Sequence, residues 1–213
     1  MRTKRLVAMM AMLALFLVGF TFAWIEYVET VPITIHPGDY EIEIHVFLDE
    51  VEVSSSHPHF DSATGLLTLN AFDETADNYI GKLRVSATVH AHNASRVRFR
   101  LYDQWELRRI FFVGGETRSV VPYSLVTNGS EASPYQIHAD FFRKESDPFY
   151  YYDGILGKNQ TLSWVLIDGA VGFDVRTTLN YTEEVYVSLM IQAEILQANR
   201  IVKVWGLSPD WFE

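Results

Sequence analysis

The stretch that decides the fold is Val185-Tyr186-Val187-Ser188-Leu189-Met190-Ile191-Gln192-Ala193-Glu194-Ile195. Every second residue from Val185 to Ile195 is apolar, whereas most of the residues between them are able to face water. This period of two is typical of a β-strand with one buried face. We therefore predict that this segment is a central strand of an antiparallel sandwich.

Composition supports the same class of fold for the whole chain. The 213 residues include 14 Phe, 11 Tyr and 5 Trp, and aromatic residues favour strands. The length after removal of a leader suits one sandwich core and is short for two domains. The absence of cysteine excludes disulfides, thiolate metal sites and a cysteine nucleophile.

The charge distribution limits the kinds of partner. Three of the 17 basic residues are Arg2, Lys4 and Arg5, so the rest of the chain carries 14 basic against 27 acidic residues. A body with such an excess of negative charge repels nucleic acid and anionic membrane surfaces. We expect neither as a partner.

The N-terminus resembles an export signal. Basic residues 1–5 precede an apolar run from Leu6 to Ile25, and Thr21-Phe22-Ala23 offers small residues where a signal peptidase cleaves. We predict a hydrophobic signal helix over residues 1–23, with cleavage between Ala23 and Trp24. An uncleaved anchor is the alternative, because the run approaches the ~20 residues that span a bilayer. Both place the body outside the cytoplasm, secreted or at the cell surface, and touching the membrane only through this segment.

The next residues divide into an arm and a body. Trp24–Thr30 is rich in β-forming residues but alternates poorly, and Pro32 interrupts it, which favours an extended N-terminal arm over residues 24–36. The body, residues 37–213, is predicted to be one domain. Its clearest early strand is Tyr40–Leu48, where apolar and polar residues alternate.

Residues 83–101 contain a second alternating pattern. Apolar residues face one way along 83–91, the turn Asn93-Ala94-Ser95 follows, and apolar residues then alternate with Arg96, Arg98 and Arg100. We predict a hairpin with a basic outer face.

Further short strands are predicted at 66–70, 110–113, 119–126, 135–142, 149–152, 161–167 and 171–175, separated by Gly, Asn and Asp turns. About ten strands without alternating helices predict an all-β, two-sheet antiparallel sandwich, most simply of jelly-roll type.

Few residues indicate chemistry. His90 and His92 lie on one face of a predicted strand, as paired metal ligands do, but no further ligand can be named and an exposed polar face is the favoured explanation. The motifs of zinc proteases, serine hydrolases and nucleotide-binding loops are absent. A pair of distant carboxylates for glycoside hydrolysis is left open by the sequence. We predict no cofactor, no metal and no catalysis.

Four sequons, at Asn93, Asn128, Asn159 and Asn180, fall at predicted turns. In an exported protein they are candidate glycosylation sites, if the source organism modifies asparagine.

Three separated segments, in order, resemble the TasA/camelysin-like family of exported bacterial proteins. They are Gly19–Glu26, with its small-aromatic-Ala junction; His92–Leu101, an Asn-containing turn leading into a Val-Arg strand; and the set running from Phe149–Tyr152 through Gly157 and Thr161 to Ala193–Asn199 and Trp205. The loop at Lys158-Asn159-Gln160 is one residue longer than the family pattern, and Leu196 departs from it.

The resemblance implies a jelly-roll body, cleavage by a dedicated signal peptidase, and assembly with copies of itself into extracellular matrix fibres or pili. In such a homopolymer the freed N-terminal segment of one subunit completes the sheet of the next, head to tail. The donor residues here would be Trp24, Ile25, Tyr27, Val28 and Val31. Arg96, Arg98 and Arg100 would form a contact surface for acidic neighbours, or an ordinary solvated strand face.

Two other classes remain open from the sequence. One is a monomeric secreted or membrane-anchored module that binds polysaccharide or protein. The other is a metal-dependent sandwich enzyme that uses His90 and His92.

Overall fold

The computed structural model describes residues 40–127, 132–144 and 147–212. The predicted leader over 1–23, the cleavage site at Ala23 and Trp24, the arm over 24–36 and the sequon residue Asn128 lie outside the described residues. The described residues belong to one compact unit.

Strands dominate the described part of the chain. In order they are β1 (Tyr40–Leu48), β2 (Val51–Glu52), β3 (Phe60–Asp61), β4 (Leu66–Asn70), β5 (Leu83–Ala91), β6 (Ser95–Phe111), β7 (Glu116–Val121), β8 (Tyr135–Ile137), β9 (Phe141–Phe142), β10 (Phe149–Tyr152), β11 (Gln160–Ala170), β12 (Arg176–Thr177) and β13 (Tyr181–Gln197). The helices are short: α1 (Tyr123–Val126), α2 (Ile201–Val204) and the 3-10 turns Ile80–Lys82, Ala198–Arg200 and Pro209–Phe212. None of the helices in these residues is long and apolar enough to cross a membrane.

The strands form two antiparallel sheets that pack face to face as a sandwich. The first sheet has the order β2-β1-β5-β11-β8. The second has the order β3-β4-β13-β6-β10-β9, with β12 added beside β13 and β7 beside β6. The predicted all-β sandwich is confirmed at this level.

The predicted strand at 185–195 is confirmed and is longer than its alternating core. Strand β13 pairs with β6 over 17 residues, from Tyr181 opposite Phe111 to Gln197 opposite Ser95. Val185, Val187, Leu189 and Ala193 are buried, because odd-numbered residues of β13 face the other sheet. The long β6–β13 ladder is therefore the backbone of the second sheet.

The first sheet shows the same alternation. Residues of β5 at odd positions, from Leu83 to Ala91, are all buried. Strand β1 pairs with β5 along its full length, from Tyr40 opposite Ala91 to Leu48 opposite Leu83. The predicted bounds of β1 are confirmed, and its even-numbered residues share the buried face with the odd-numbered residues of β5.

The predicted hairpin of residues 83–101 is wrong. Strand β5 lies in the first sheet, β6 lies in the second, and the turn at Asn93 carries the chain between them. The physical reason is that both edges of β5 are taken, by β1 and by β11, so β6 cannot pair with it. A turn between two segments of alternating apolar and polar residues predicts two strands, but it does not decide whether the two strands lie in the same sheet.

Four other strand predictions are also wrong. Residues 110 and 111 are the end of β6 and not a separate strand, and 135–142 divides into β8 and β9, which lie in different sheets. The segment 119–126 stays extended only to Val121, because Pro122 has no N–H for the ladder and instead begins α1. The segment 171–175 is irregular, and the next strand, β12, begins at Arg176.

Candidate functional site

Strand β1 has an edge that lacks a neighbouring strand for most of its length. It pairs with β2 only at Phe47 and Leu48. The Val53 N–H donates to the Val46 carbonyl at 2.8 Å, so even-numbered residues of β1 direct their backbone groups away from β5. Within the described residues, no strand pairs with Ile42 or Ile44 on that side.

Strand β13 has a similar edge beyond the end of β4. Strand β4 pairs with Tyr186 to Leu189 of β13 and then stops. The Ala71 N–H donates to the Val185 carbonyl at 3.0 Å, so odd-numbered residues of β13 direct their backbone groups away from β6. No strand in the described ranges pairs with the stretch from Met190 to Leu196 on this side.

The apolar side chains beside these two edges are only partly covered. Ile42 and Ile44 on β1, and Ile191 and Ile195 on β13, are half-buried against the core. Some Cα atoms of β1 and β13 come within 8 Å of each other. The two edges therefore bound the same side of the sandwich, which we call the β1–β13 side.

Another side of the sandwich is closed by aromatic rings. The ring of Trp164 on β11 lies 5.6 Å from that of Phe141 on β9 and 4.8 Å from that of Tyr152 on β10. Such rings fill space between sheets and exclude water. Isoleucines line the β1–β13 side instead, and the backbone groups there are able to take a further strand.

Of the three arginines on the outer face of β6, Arg98 is held inside the chain. Its Nε and Nη2 donate to Oε2 of Glu194 at 2.8 and 2.6 Å. Its guanidinium carbon lies 3.7 Å from the ring centroid of Phe149 and 4.4 Å from that of Trp205. Only 11% of the side chain is exposed, so Arg98 stabilises this face and offers little contact area to another molecule.

The other two arginines differ from Arg98. Arg96 donates to the Gly154 carbonyl at 3.0 Å and lies 3.8 Å over the ring of Phe212, and desolvation lowers its pKa. Arg100 lies 4.1 Å from the ring centroid of Tyr102 and has no ion pair with an acidic residue in the described part of the chain. Of the predicted contact surface, Arg96 and Arg100 are the members whose charge no carboxylate pairs with in the described residues.

The C-terminal residues cover this arginine-bearing face, which the sequence analysis did not foresee. Tyr151 on β10 is fully buried beneath Trp205, Trp211 and Phe212, at ring distances of 6.1, 5.8 and 5.8 Å. Burial raises the pKa of Tyr151, whose hydroxyl donates to Asp147 at 3.0 Å. The sequence signal that could have indicated this packing is the concentration of Trp and Phe after residue 204, together with the alternating arginines of β6.

The two histidines considered as metal ligands do lie together. Their rings are 4.6 Å apart, and Nδ1 of His90 lies 2.7 Å from the hydroxyl of Thr161 on β11. No group of three or more His, Asp or Glu side chains able to hold a metal ion occurs among the described residues. The pair therefore lacks the further protein ligands that a metal site needs.

A cleft of about 520 Å³ lies beside α1 and β13. The residues that line it include Leu107, Val126, Phe173, Arg176 and Glu183. Arg109 donates to Glu183 at 2.7 Å, and Arg176 lies 3.9 Å away from it. The Glu183 carboxylate is therefore already paired, whereas Asp174, which also lines the cleft, has no ion pair among the described residues.

Two of the sequons are accessible. Asn159 and Asn180 are exposed in turns, whereas Asn93 is half-buried and Ser95 of its sequon is fully buried, donating to the Asn93 carbonyl at 2.7 Å. Asn159 and Asn180 are the better candidates for modification.

Comparison of the chain with protein-family models, with curated proteins and with solved structures found no match. The resemblance to TasA/camelysin-like proteins thus stays a prediction that depends on the three sequence segments.

Proposed function

We propose that this chain is an exported structural subunit that assembles into extracellular fibres, of biofilm-matrix or pilus-like type, by exchanging its N-terminal strand. The observation that carries the proposal is the uncovered β1–β13 side of the sandwich. Backbone groups at Ile42, Ile44, Ile191 and Ile195 lie there without a neighbouring strand in the described residues, beside half-buried isoleucines.

A further strand on that side is favourable for two reasons. It supplies hydrogen-bond partners to the free edges, and it buries apolar side chains that are now partly exposed to water. Trp24–Val31 is a β-forming, largely apolar segment of suitable length. When one subunit supplies the strand and the next accepts it, the contact is head-to-tail and does not close, which gives a filament.

The proposal includes a jelly-roll body and a cleaved leader. Eight of the strands, β1, β4, β5, β6, β8, β10, β11 and β13, belong alternately to the first and second sheets, whereas β7 follows β6 in the second sheet. Repeated crossing between two sheets is characteristic of jelly rolls. Cleavage after Ala23 by a dedicated signal peptidase would release the arm that begins at Trp24.

A monomeric secreted or anchored binding module is the second candidate, and the cleft at Glu183 is the observation in its favour. The aromatic run at 149–152 does not support sugar binding in particular. Its Tyr150 and Tyr151 are buried, and their faces are therefore closed to a stacked sugar ring.

The test compares three forms of the chain produced in an exporting bacterial host. They are the natural sequence, a variant lacking Trp24–Val31, and a variant with an eight-residue Gly/Ser segment in its place. Intact mass establishes whether residues 1–23 are removed, and electron microscopy establishes whether filaments form. We expect filaments from the natural sequence alone. Filaments from the Gly/Ser variant would overturn strand exchange, and a natural chain that stays monomeric after cleavage would favour the binding module.

A further inference from the structure

Among the strands of six or more residues in the described part of the chain, four have a long edge without a neighbouring strand. They are β1, β7, β11 and β13. Strand β7 pairs only with β6, and its residues Glu116 to Val120 are all exposed. A strand added beside β7 would therefore gain hydrogen bonds but cover little partly buried apolar surface.

The edge of β11 is blocked by side chains. Strand β8 pairs with it only at Ile167 and Ala170. Beside the rest of the strand, the rings of Trp164, Phe141 and Tyr152 pack against one another. A new strand would have to displace this aromatic packing.

Charge separates the two remaining edges. The segment Trp24–Val31 carries no basic residue and two acidic ones. Of these, Glu26 faces outward when Ile25, Tyr27 and Val31 face the core, whereas Glu29 lies on the apolar face. On β1 the segment would meet Glu41 and Glu43, both exposed, and like charges on adjacent strands destabilise pairing.

The outer face beside β13 has the opposite sign. Its carboxylate, Glu194, is already paired with Arg98, while Arg96 and Arg100 on β6 add positive charge. An acidic strand laid along β13 is attracted by this surplus. The arginines of β6 would then contribute to assembly by attracting the acidic arm of the next subunit.

Length and side-chain pattern also fit β13. The uncovered stretch from Met190 to Leu196 spans about 24 Å, and Trp24–Val31 spans about 27 Å when extended. Ile25, Tyr27, Glu29 and Val31 share one face of an extended segment, and its three apolar members are able to cover Ile191 and Ile195. Pro32 follows directly and ends a hydrogen-bonded strand there.

We infer that the β13 edge from Met190 to Leu196 accepts Trp24–Val31 of a second copy of this chain, in line with β4 on the same edge. This inference rests on the proposed function and names its acceptor.

The absence of cysteine makes disulfide trapping a clean test. Chains carrying only Val28→Cys are mixed with chains carrying only Gln192→Cys on the outer face of β13. Parallel mixtures use Glu43→Cys for β1 and Ser163→Cys for β11 as matched controls. A disulfide between two single-cysteine chains is necessarily intermolecular. A second arm variant, Glu26→Cys, covers a different register, and thermal unfolding checks that each variant folds.

We expect the mixed disulfide with Gln192→Cys to form about tenfold more than with either control, because the bond needs Cα atoms within about 7 Å. A preference for Glu43→Cys or Ser163→Cys would overturn the β13 assignment while leaving strand exchange intact. Filaments without a mixed disulfide to any of the three edges would overturn the inference. A chain that carries both Val28→Cys and Gln192→Cys is tested as well. If it stays monomeric and forms only an internal disulfide, the proposed function is overturned too, because the arm then completes its own sheet.

Discussion

Arg98 and Glu194 face each other across β6 and β13, and Arg98 donates through both Nε and Nη2 to one carboxylate oxygen, at 2.8 and 2.6 Å. The rings of Phe149 and Trp205 lie over the guanidinium, with centroids 3.7 and 4.4 Å from its carbon, and only 11% of the Arg98 side chain is exposed. Screening by solvent is therefore weaker here than for an ordinary surface ion pair.

Replacing Arg98 should destabilise the fold measurably. We expect Arg98→Met to lower the free energy of unfolding by about 2 kcal/mol, because Glu194 loses its charged partner while remaining partly buried. Urea unfolding measures the change. The matched control is Arg84→Met, since Arg84 lies 3.9 Å from Asp168 with both side chains mostly exposed, and its loss should stay below about 0.5 kcal/mol. Equal losses for the two variants would show that the shielding is unimportant.

The C-terminal aromatic segment should contribute to stability in the same way. Trp205→Ala removes a ring that covers both Tyr151 and Arg98, and should cost about 2 to 3 kcal/mol. Val202→Ala in the same segment, where the side chain is largely exposed, is the control and should cost less than about 0.5 kcal/mol. If the two variants unfolded at the same urea concentration, the segment would not be docked on the sheet.

Buried tyrosines predict loss of stability at alkaline pH. Burial raises the pKa of Tyr135 far above its ordinary value, and the neighbouring Asp103 carboxylate raises it further. Above about pH 10 the unfolded chain loses this phenolic proton and the folded chain keeps it, so the free energy of unfolding falls by up to about 1.4 kcal/mol per pH unit for this residue. Urea unfolding between pH 9 and 11 should show a shallower decline for Tyr135→Phe than for the natural chain. Identical slopes would contradict the assignment.

Removal of metal should leave the fold unchanged. The pair His90 and His92 has no third protein ligand in the described residues, so we expect a chelator to shift the melting temperature by less than about 1 °C. Metal analysis of purified protein gives the independent reading. Stoichiometric zinc, iron or manganese that disappears in both His90→Ala and His92→Ala would revive the metal-enzyme hypothesis.

The sequence predicted individual strands better than their arrangement. Strand β1 and the core of β13 could be identified because each buries one face. Apolar and polar residues therefore alternate along each of these segments of the sequence. The placement of β5 and β6 in different sheets could not be identified, since it depends on which edges of β5 other strands occupy.

The candidate site was predictable only in part, for the same reason. The arginines of β6 were visible as an alternating pattern, but the burial of Arg98 depends on Glu194, which lies 96 residues further along the chain. The free edge at Ile191 and Ile195 is defined by where β4 ends. The sequence of β13 alone does not indicate where its neighbouring strand ends.

The most direct measurement of the central claim is binding of the arm as a separate peptide. A chain lacking Trp24–Val31 is mixed with a synthetic peptide of those eight residues, and binding and thermal unfolding are followed together. We predict binding of one peptide per chain and, at about 100 times the Kd, a gain of about 2.7 kcal/mol in stability. The same peptide with Ile25 and Val31 replaced by serine should bind much more weakly. Equal binding of both peptides, or no stabilisation by the natural one, would contradict the account.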